Sequence, residues 1–258
     1  MTSFIHHTAV VADGAVFGTD VKIGPHAVIE NNVVIGDNAE IMAGAYIAEG
    51  ARLGKSVKVF PYASVGTVPQ DLKFEGEETL LEVGDRTVIR EFATLNRGTH
   101  ATGKTSVGTD CLLMSYSHVA HDCVVGDHCI LANSATLAGH VTLEDWVILG
   151  GIVPIHQFVK IGRHVMVGGG WRVPKDIPPY VMAAGDPLKP IDINKIGLQR
   201  RGFTDETIAN IRKAYKTIFR SKKNMTESLA ALDELGDLGP EVEHFKEFIR
   251  SSERGVIM

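Results

Sequence analysis

Within residues 118–157 histidines cluster, and one of them is followed at once by an aspartate. The side chains able to do chemistry there are His118, His121, Asp122, His140 and Gln157, with Gly139 among them. A neutral imidazole is a base near neutral pH, its unperturbed pKa being about 6.5, and a carboxylate beside it fixes its orientation. His121 with Asp122 therefore suits removal of a proton from a hydroxyl. Gly139 has no side chain to shield its backbone N–H, and such a donor can hold a developing oxyanion. Together these fit direct acyl transfer, in which no serine or cysteine need act as nucleophile. Any single histidine is more commonly a solvated surface residue, but their clustering shifts the balance towards function.

The elements that must hold these residues are written in a six-residue repeat. Every sixth residue from Ile5 to Val173 is Ile, Leu or Val except at Phe17, Asp71, Glu77 and Ala101. The fourth residue after each such position is mostly small or β-branched, as at Ala15, Val21, Ala27, Ala93, Ser117 and Ala135. Six is even, so in extended chain the aliphatic positions share one face and point inward. Gly, Asp or Asn then turns the chain, as in IGPHAV, IGDNAE and VGDHCI. Short strands that each bury one aliphatic and one small residue make a solenoid. This grammar resembles the hexapeptide left-handed parallel β-helix, a mainly β fold. The resemblance implies a triangular coil of three hexads, with successive coils about 4.8 Å apart and a hand opposite to the usual crossover. At eighteen residues per coil, His121, Gly139 and Gln157 form one column and Asp122, His140 and Phe158 the next. Both columns lie in the turn half of the hexad, on an exposed edge.

The chain has 258 residues, 44% hydrophobic and 22% charged, with a net charge of −5. That is enough for a sizeable core and not basic enough to favour nucleic acid. No apolar run approaches the roughly 20 residues of a membrane span, and the opening MTSFIHHTAVVADG lacks a charged region followed by an apolar one, so cytoplasmic residence is expected. Cys111, Cys123 and Cys129 all fall on the small inward position, which makes them core residues rather than disulfides, metal ligands or nucleophiles. His6, His7 and His26 read as solvated turn residues.

Two interruptions break the repeat. In TVPQDLKFEGEETLLE, residues 67–82, Asp71 and Glu77 occupy aliphatic positions, and a prism cannot bury them unpaired. The segment should loop outward as an arm carrying Gln70, Asp71 and Lys73. A smaller excursion is expected at 100–106, HATGKTS. After Val173 comes a proline-rich crossing, PKDIPPYVMAAGDPLKP, and residues 191–258 lack the hexad. The expected division is therefore a β-helix over 1–190 and a helical domain over 191–258. In the latter, TDETIANIRKAYKTIFR (204–220) has a Thr cap and apolar Ile208, Ile211, Tyr215, Ile218 and Phe219 at helical spacing. PEVEHFKEFIR opens with proline at a helix start and carries Val242, Phe245, Phe248 and Ile249 on one stripe.

HVAHDCVVG, ILANSATLAGHV, IHQFVKIG, the loop PQDLKFEGE and the tail LQRRGFT together resemble the UDP-N-acetylglucosamine acyltransferase family over essentially the whole chain. The resemblance implies transfer of a 3-hydroxyacyl group from acyl carrier protein to the 3-hydroxyl of UDP-N-acetylglucosamine, the first step of lipid A synthesis, with no metal or redox cofactor. It implies His121 as general base, Asp122 as its partner and Gly139 as oxyanion donor. Gln70, Asp71 and Lys73 would contact sugar and phosphate, while His118, His140 and Gln157 line the groove. Asn194, Arg200 and Arg201 would hold the nucleotide, arginine being suited to a diphosphate; the acid the pattern leads one to expect two residues after Asn194 is Ile196. The run Met166 to Gly170 resembles the end of the acyl groove, where Gly169 leaves room and the neighbours Trp171 and Arg172 are unusual. A homotrimer is implied, with threefold symmetry.

The carrier, an acidic partner, would dock near the basic stretch 163–201. There Arg163, Arg172, Lys175, Lys189, Lys195, Arg200 and Arg201 face only Asp176, Asp186 and Asp192. Rival readings are zinc held between subunits by histidines of the prism, a non-catalytic scaffold, an N-acyltransferase later in the same pathway, and acylation of an amino-sugar variant.

Overall fold

The computed structural model describes residues 3–258. From Phe4–Ile5 to Met166–Val167 the chain lays down short strands, most of two residues, in three parallel sheets of 9, 8 and 8 strands, the first of which two later strands extend to 11. Each strand pairs with the one three steps further along the chain. Leu113 stands beside Leu131, Leu131 beside Leu149, and Leu149 beside Val167. The sheets form the three walls of a left-handed parallel β-helix, and in a two-residue strand one side chain points in and the other out. Leu131, Leu137 and Leu149 are 0% exposed, as are Ala135, Val141 and Val147 at the second inward position. Cutting one of these leucines to alanine would cost about 2–5 kcal/mol.

The corners of the prism explain the turn residues. Non-glycine corner residues take left-handed φ values from 54° to 68°, among them Asp122, His128, His140, Trp146, Ile152 and Phe158. Asn and Asp tolerate this region best; for β-branched Ile152 it costs of order 1–3 kcal/mol. The bond from Ile152 N–H to the Asn133 carbonyl, 2.9 Å, offsets part of that cost. Because every corner repeats at the coil spacing, its outward rings stack into ladders. Tyr62, Phe92 and Tyr116 stack at 5.5 and 5.1 Å, His128 stacks on Trp146 at 4.0 Å, and His140 on Phe158 at 4.6 Å.

Both interruptions leave the prism, the first within narrower limits than the sequence suggested and the second shifted towards the N-terminus. Strand Ser64–Thr67 ends the wall before the arm and strand Leu80–Val83 resumes it, so the arm is 68–79 rather than 67–82. Leu81 and Val83 already fill inward positions, 0% and 3% exposed. The second excursion lies between strands Thr94–Asn96 and Lys104–Val107, that is 97–103 rather than 100–106, because Thr105 and Val107 are buried in the wall.

Isolated bridges from Ile155 to Val173 and from Ile161 to Ile177 carry the walls beyond Met166–Val167. Val181–Ala184 then pairs parallel with Met166–Val167, and Lys189–Ile193 closes that sheet antiparallel. Helices α1 (Lys195–Arg200), α2 (Asp205–Phe219), α3 (Met225–Asp233) and α4 (Pro240–Arg250) follow. Thr204 caps α2 and Pro240 opens α4. Ile208, Ile211, Tyr215 and Ile218 join Val242, Phe245, Phe248 and Ile249 in a hydrophobic cluster continuous with the prism core. Polar ties reinforce the contact: His244 Nε2 lies 2.8 Å from Glu144 Oε2, and Ser252 Oγ donates to Asp176 Oδ2 at 2.6 Å. Among the described residues no helix is long and apolar enough to cross a membrane.

Candidate active site

His121 and Asp122 occupy one corner turn, between strands His118–Val119 and Val124–Val125. The coil below places Gly139 and His140 against them. His121 is 8% exposed and Asp122 4%. His121 Nδ1 lies 2.7 Å from Asp122 Oδ2, and with Nδ1 carrying the proton, Nε2 is left as the acceptor. The Asp122 carboxylate also accepts the Thr99 N–H at 3.0 Å, the Thr99 hydroxyl at 2.8 Å and the Thr102 hydroxyl, while its own N–H donates to Thr105 Oγ1 at 2.8 Å. Burial opposes ionisation of this carboxyl, but the bonds from Thr102, His121 and Thr99 outweigh it and lower its pKa to about 2.

Gly139 has a steric reason to be glycine. A Cβ added there would lie 2.6 Å from His121 Cε1 and 2.7 Å from Nε2, so the imidazole rests directly on the Gly139 backbone. His140 meets the His121 ring edge-on at 5.2 Å, with its Nε2 3.7 Å from Asp122 Oδ2. His118 stands on the wall leading into this corner, its Nδ1 2.8 Å from Thr94 Oγ1. Burial pushes its pKa down, the Thr94 contact opposes that, and the nearby His121 adds to it. Gln157, one coil further, is exposed, and its carbonyl accepts Arg254 Nη2 at 2.8 Å. Beside His140 and Phe158 opens a cavity of about 400 Å³ that reaches Lys160, Asp176 and Arg254. His121, Asp122 and His140 offer three metal-capable atoms within 4.8 Å of one another. Four hydrogen bonds already occupy the Asp122 oxygens, however, and a cation there would have to displace them.

The other sequence-derived residues lie elsewhere in the chain. Gln70 and Lys73 are exposed on the arm, and Asp71 Oδ1 accepts the Lys73 N–H at 3.0 Å. No hydrogen bond or ion pair among the described residues joins these three to His121. The arm does touch the second excursion: Glu77 Oε1 accepts the His100 N–H at 3.1 Å, beside an open cavity of about 570 Å³ lined by Lys73, Glu77 and His100.

Asn194 and Arg201 meet the corner that carries Trp146 and His164, not the His121 corner. Asn194 is 4% exposed and caps α1, Oδ1 accepting from Gly197 N–H at 3.1 Å and Nδ2 donating to the His164 carbonyl at 2.9 Å. Arg201 Nη1 lies 3.3 Å from His164 Nδ1, with the guanidinium 4.8 Å from the Trp146 ring centre. Burial and the charges of Arg201 and Arg163 lower the His164 pKa to about 4. Arg200 is exposed, and Ile196 is 64% exposed in the first turn of α1, where no acid stands. Met166 is 36% exposed. At Gly169 an added Cβ would meet the Gly151 carbonyl at 3.1 Å, and at Gly168 the Trp171 ring at 3.3 Å. The glycines thus leave a strip of bare backbone with an indole at its side.

Sequence reasoning missed the three threonines around Asp122. Thr99, Thr102 and Thr105 were visible only as part of an excursion, since spacing alone does not name the acceptor they share. It also missed Trp146 as the platform under Arg201, although His128, Trp146 and His164 already stood eighteen residues apart.

Two family models match the chain. One describes a UDP-N-acetylglucosamine O-acyltransferase domain, the second of that family, over residues 176–257, and the other a bacterial transferase hexapeptide of six repeats over residues 104–139. Among solved structures, the UDP-N-acetylglucosamine acyltransferase of Bacteroides fragilis is 46% identical, with 99% of this chain and 100% of that chain covered and a TM-score of 0.97. LpxA of Acinetobacter baumannii is 40% identical over 99% of this chain and 100% of its own, with a TM-score of 0.95. The Arabidopsis UDP-N-acetylglucosamine acyltransferase is 33% identical over 99% and 100%, with a TM-score of 0.87. Identity of this extent over nearly the full chain, on the same fold, means that the chain belongs to the UDP-N-acetylglucosamine acyltransferase family.

Proposed function

We propose that the protein moves a 3-hydroxyacyl group from the thioester of acyl carrier protein to the 3-hydroxyl of UDP-N-acetylglucosamine, with His121 as general base. The observation that carries this is the His121–Asp122 pair seated on Gly139, at 2.7 Å. Asp122, kept ionised, holds the Nδ1 proton and leaves Nε2 to take the proton of the sugar hydroxyl. The hydroxyl oxygen attacks the thioester carbonyl, whose developing oxyanion the Gly139 N–H accommodates. Collapse expels the carrier thiolate, which recovers the proton from the imidazolium. The cysteines take no part: all three are buried, and burial pushes the Cys123 thiol up to about 12.

His118, His140 and Gln157 line the sugar side of this corner. Gln70, Asp71 and Lys73 reach the substrate from the arm, and Asn194, Arg200 and Arg201 receive the nucleotide, with Met166 and Gly169 bordering the acyl chain. Within one chain Asn194 and Arg201 lie on the corner of Trp146 and His164 rather than beside His121, which supports a homotrimer whose sites lie between neighbours. The edge carrying Tyr62, Phe92 and Tyr116, 59%, 44% and 60% exposed, is an apolar face suited to such a contact. The carrier docks on Arg172 and Lys175, and the reaction takes place in the cytoplasm.

Mass analysis of products from defined donors and acceptors tests this reading. With 3-hydroxyacyl carrier protein and UDP-N-acetylglucosamine, an alkali-labile ester on the 3-oxygen is expected. Acylation only of an amino-sugar analogue, as an amide, would overturn it.

A further inference from the structure

The second excursion has no place in the proposed reaction, yet it delivers most of the hydrogen bonds that Asp122 receives. Thr99 contributes its N–H at 3.0 Å and its hydroxyl at 2.8 Å. Thr102 points its hydroxyl at Asp122 Oδ1, the nearer of two acceptors for its single proton, the Lys104 carbonyl lying 2.9 Å from the same Oγ1. Thr99 is 4% exposed, and its Oγ1 also accepts the Ala101 N–H at 3.2 Å, which shapes the loop around the carboxylate. From the wall, Thr105 Oγ1 holds the Asp122 N–H at 2.8 Å. The left-handed backbone of Asp122, φ 59°, is thus clamped on its amide and on both carboxylate oxygens.

We propose that Thr99 and Thr102 are positioning residues of the acyl-transfer site, acting on His121 through Asp122. The inference rests on His121 being the base. A carboxylate beside an imidazole orients it only if the carboxylate is itself held. Two oxygens free to rotate would present Nδ1–H with no fixed partner, and the ring would lose its bearing on Gly139. The hydroxyls do a second thing: by donating to the carboxylate they moderate its grip on the imidazolium. The titratable groups facing Asp122 are His121 at 2.7 Å and His140 at 3.7 Å. Glu77 and His100 pair on the outer side of the same loop at 3.6 Å. The arm is therefore bonded to the segment that holds the base.

Thr102→Val keeps the shape and removes one donor. The expected result is a roughly 10-fold fall in kcat with little change in the KM for UDP-N-acetylglucosamine. The acidic limb of the pH–rate profile should also move to higher pH, because a carboxylate stripped of a donor holds the imidazolium more tightly. Thr102→Ser, which restores the hydroxyl, should return both properties towards those of the native enzyme. A structural role alone would lower the melting temperature and the active fraction but leave the profile in place. A Thr102→Val enzyme with kcat within about twofold and an unmoved profile overturns the proposal, as does a serine variant no better than valine. His121→Ala assayed in parallel separates the two readings: loss of turnover there with a silent Thr102→Val refutes the positioning role alone. Retention of turnover in His121→Ala refutes the base.

Discussion

Gly139→Ala asks whether the contact between His121 and the coil below it matters to catalysis. Gly139 does not have left-handed φ, that place in the turn belonging to His140 at φ 61°, so alanine brings no backbone strain. What it brings is a methyl carbon 2.6 Å from His121 Cε1, against about 3.5 Å for unstrained carbon contact. The ring must withdraw by most of an ångström or the turn must move. Withdrawal breaks the 2.7 Å bond to Asp122, and movement of the turn strains the bond from His140 N–H to the His121 carbonyl at 3.1 Å. A displacement of about 1 Å at a reacting group costs on the order of 100-fold in rate, or about 2.7 kcal/mol of barrier. The turn lies outside the leucine stack, so the melting temperature should change little. Initial rates at saturating donor and acceptor, with thermal unfolding of the same preparation, check this. A Gly139→Ala enzyme within about twofold of native turnover would refute the reasoning.

Sedimentation should give a species of three times 27.9 kDa, and an active monomer would remove the reason for placing sites between chains. Reversing Arg172 and Lys175, both exposed, to Glu should raise the KM for acyl carrier protein, and less so at high salt, while that for the UDP-sugar stays nearly constant. An equal effect on both substrates would move the docking surface elsewhere. His164 sits neutral, its pKa lowered from 6.5 to about 4, so the unfolded chain takes up its proton first. Stability is full above pH of about 6.5 and falls on acidification towards 4, by about 2 kcal/mol between pH 7 and pH 5 at 1.36 kcal/mol per unit. Denaturant unfolding at the two pH values should show this drop, and His164→Gln should lessen it; equal drops in both proteins would contradict the assignment.

The prism was legible because its constraint is periodic. An aliphatic residue every sixth place fixes which way each strand faces, and Asp71 and Glu77 mark where the wall cannot continue. The edges of the arm were misjudged by a few residues because Leu80 and Leu81 read equally well as loop or wall until a neighbouring strand pairs with them. Helices α2 and α4 announced themselves through caps and stripes. The shorter α3 did not, although its Asn224–Glu227 capping box was present in the sequence as NMTE. The column of His121, Gly139 and Gln157 followed from the eighteen-residue coil that the hexapeptide resemblance implies. What surrounds Asp122 did not, since Thr99 and Thr102 reach it from an aperiodic loop, and only three-dimensional closure decides which acceptor a hydroxyl finds. The departure at Ile196 was visible at once, and its side chain does stand exposed on α1.

Turnover of His121→Ala tests the central claim most directly. With UDP-N-acetylglucosamine and 3-hydroxyacyl carrier protein at saturation, kcat should fall by roughly 10²- to 10⁴-fold, with Asp122→Asn costing less, and the melting curve should stay near that of the native protein because the residue sits at a turn. Near-native turnover from a folded His121→Ala protein would contradict the account.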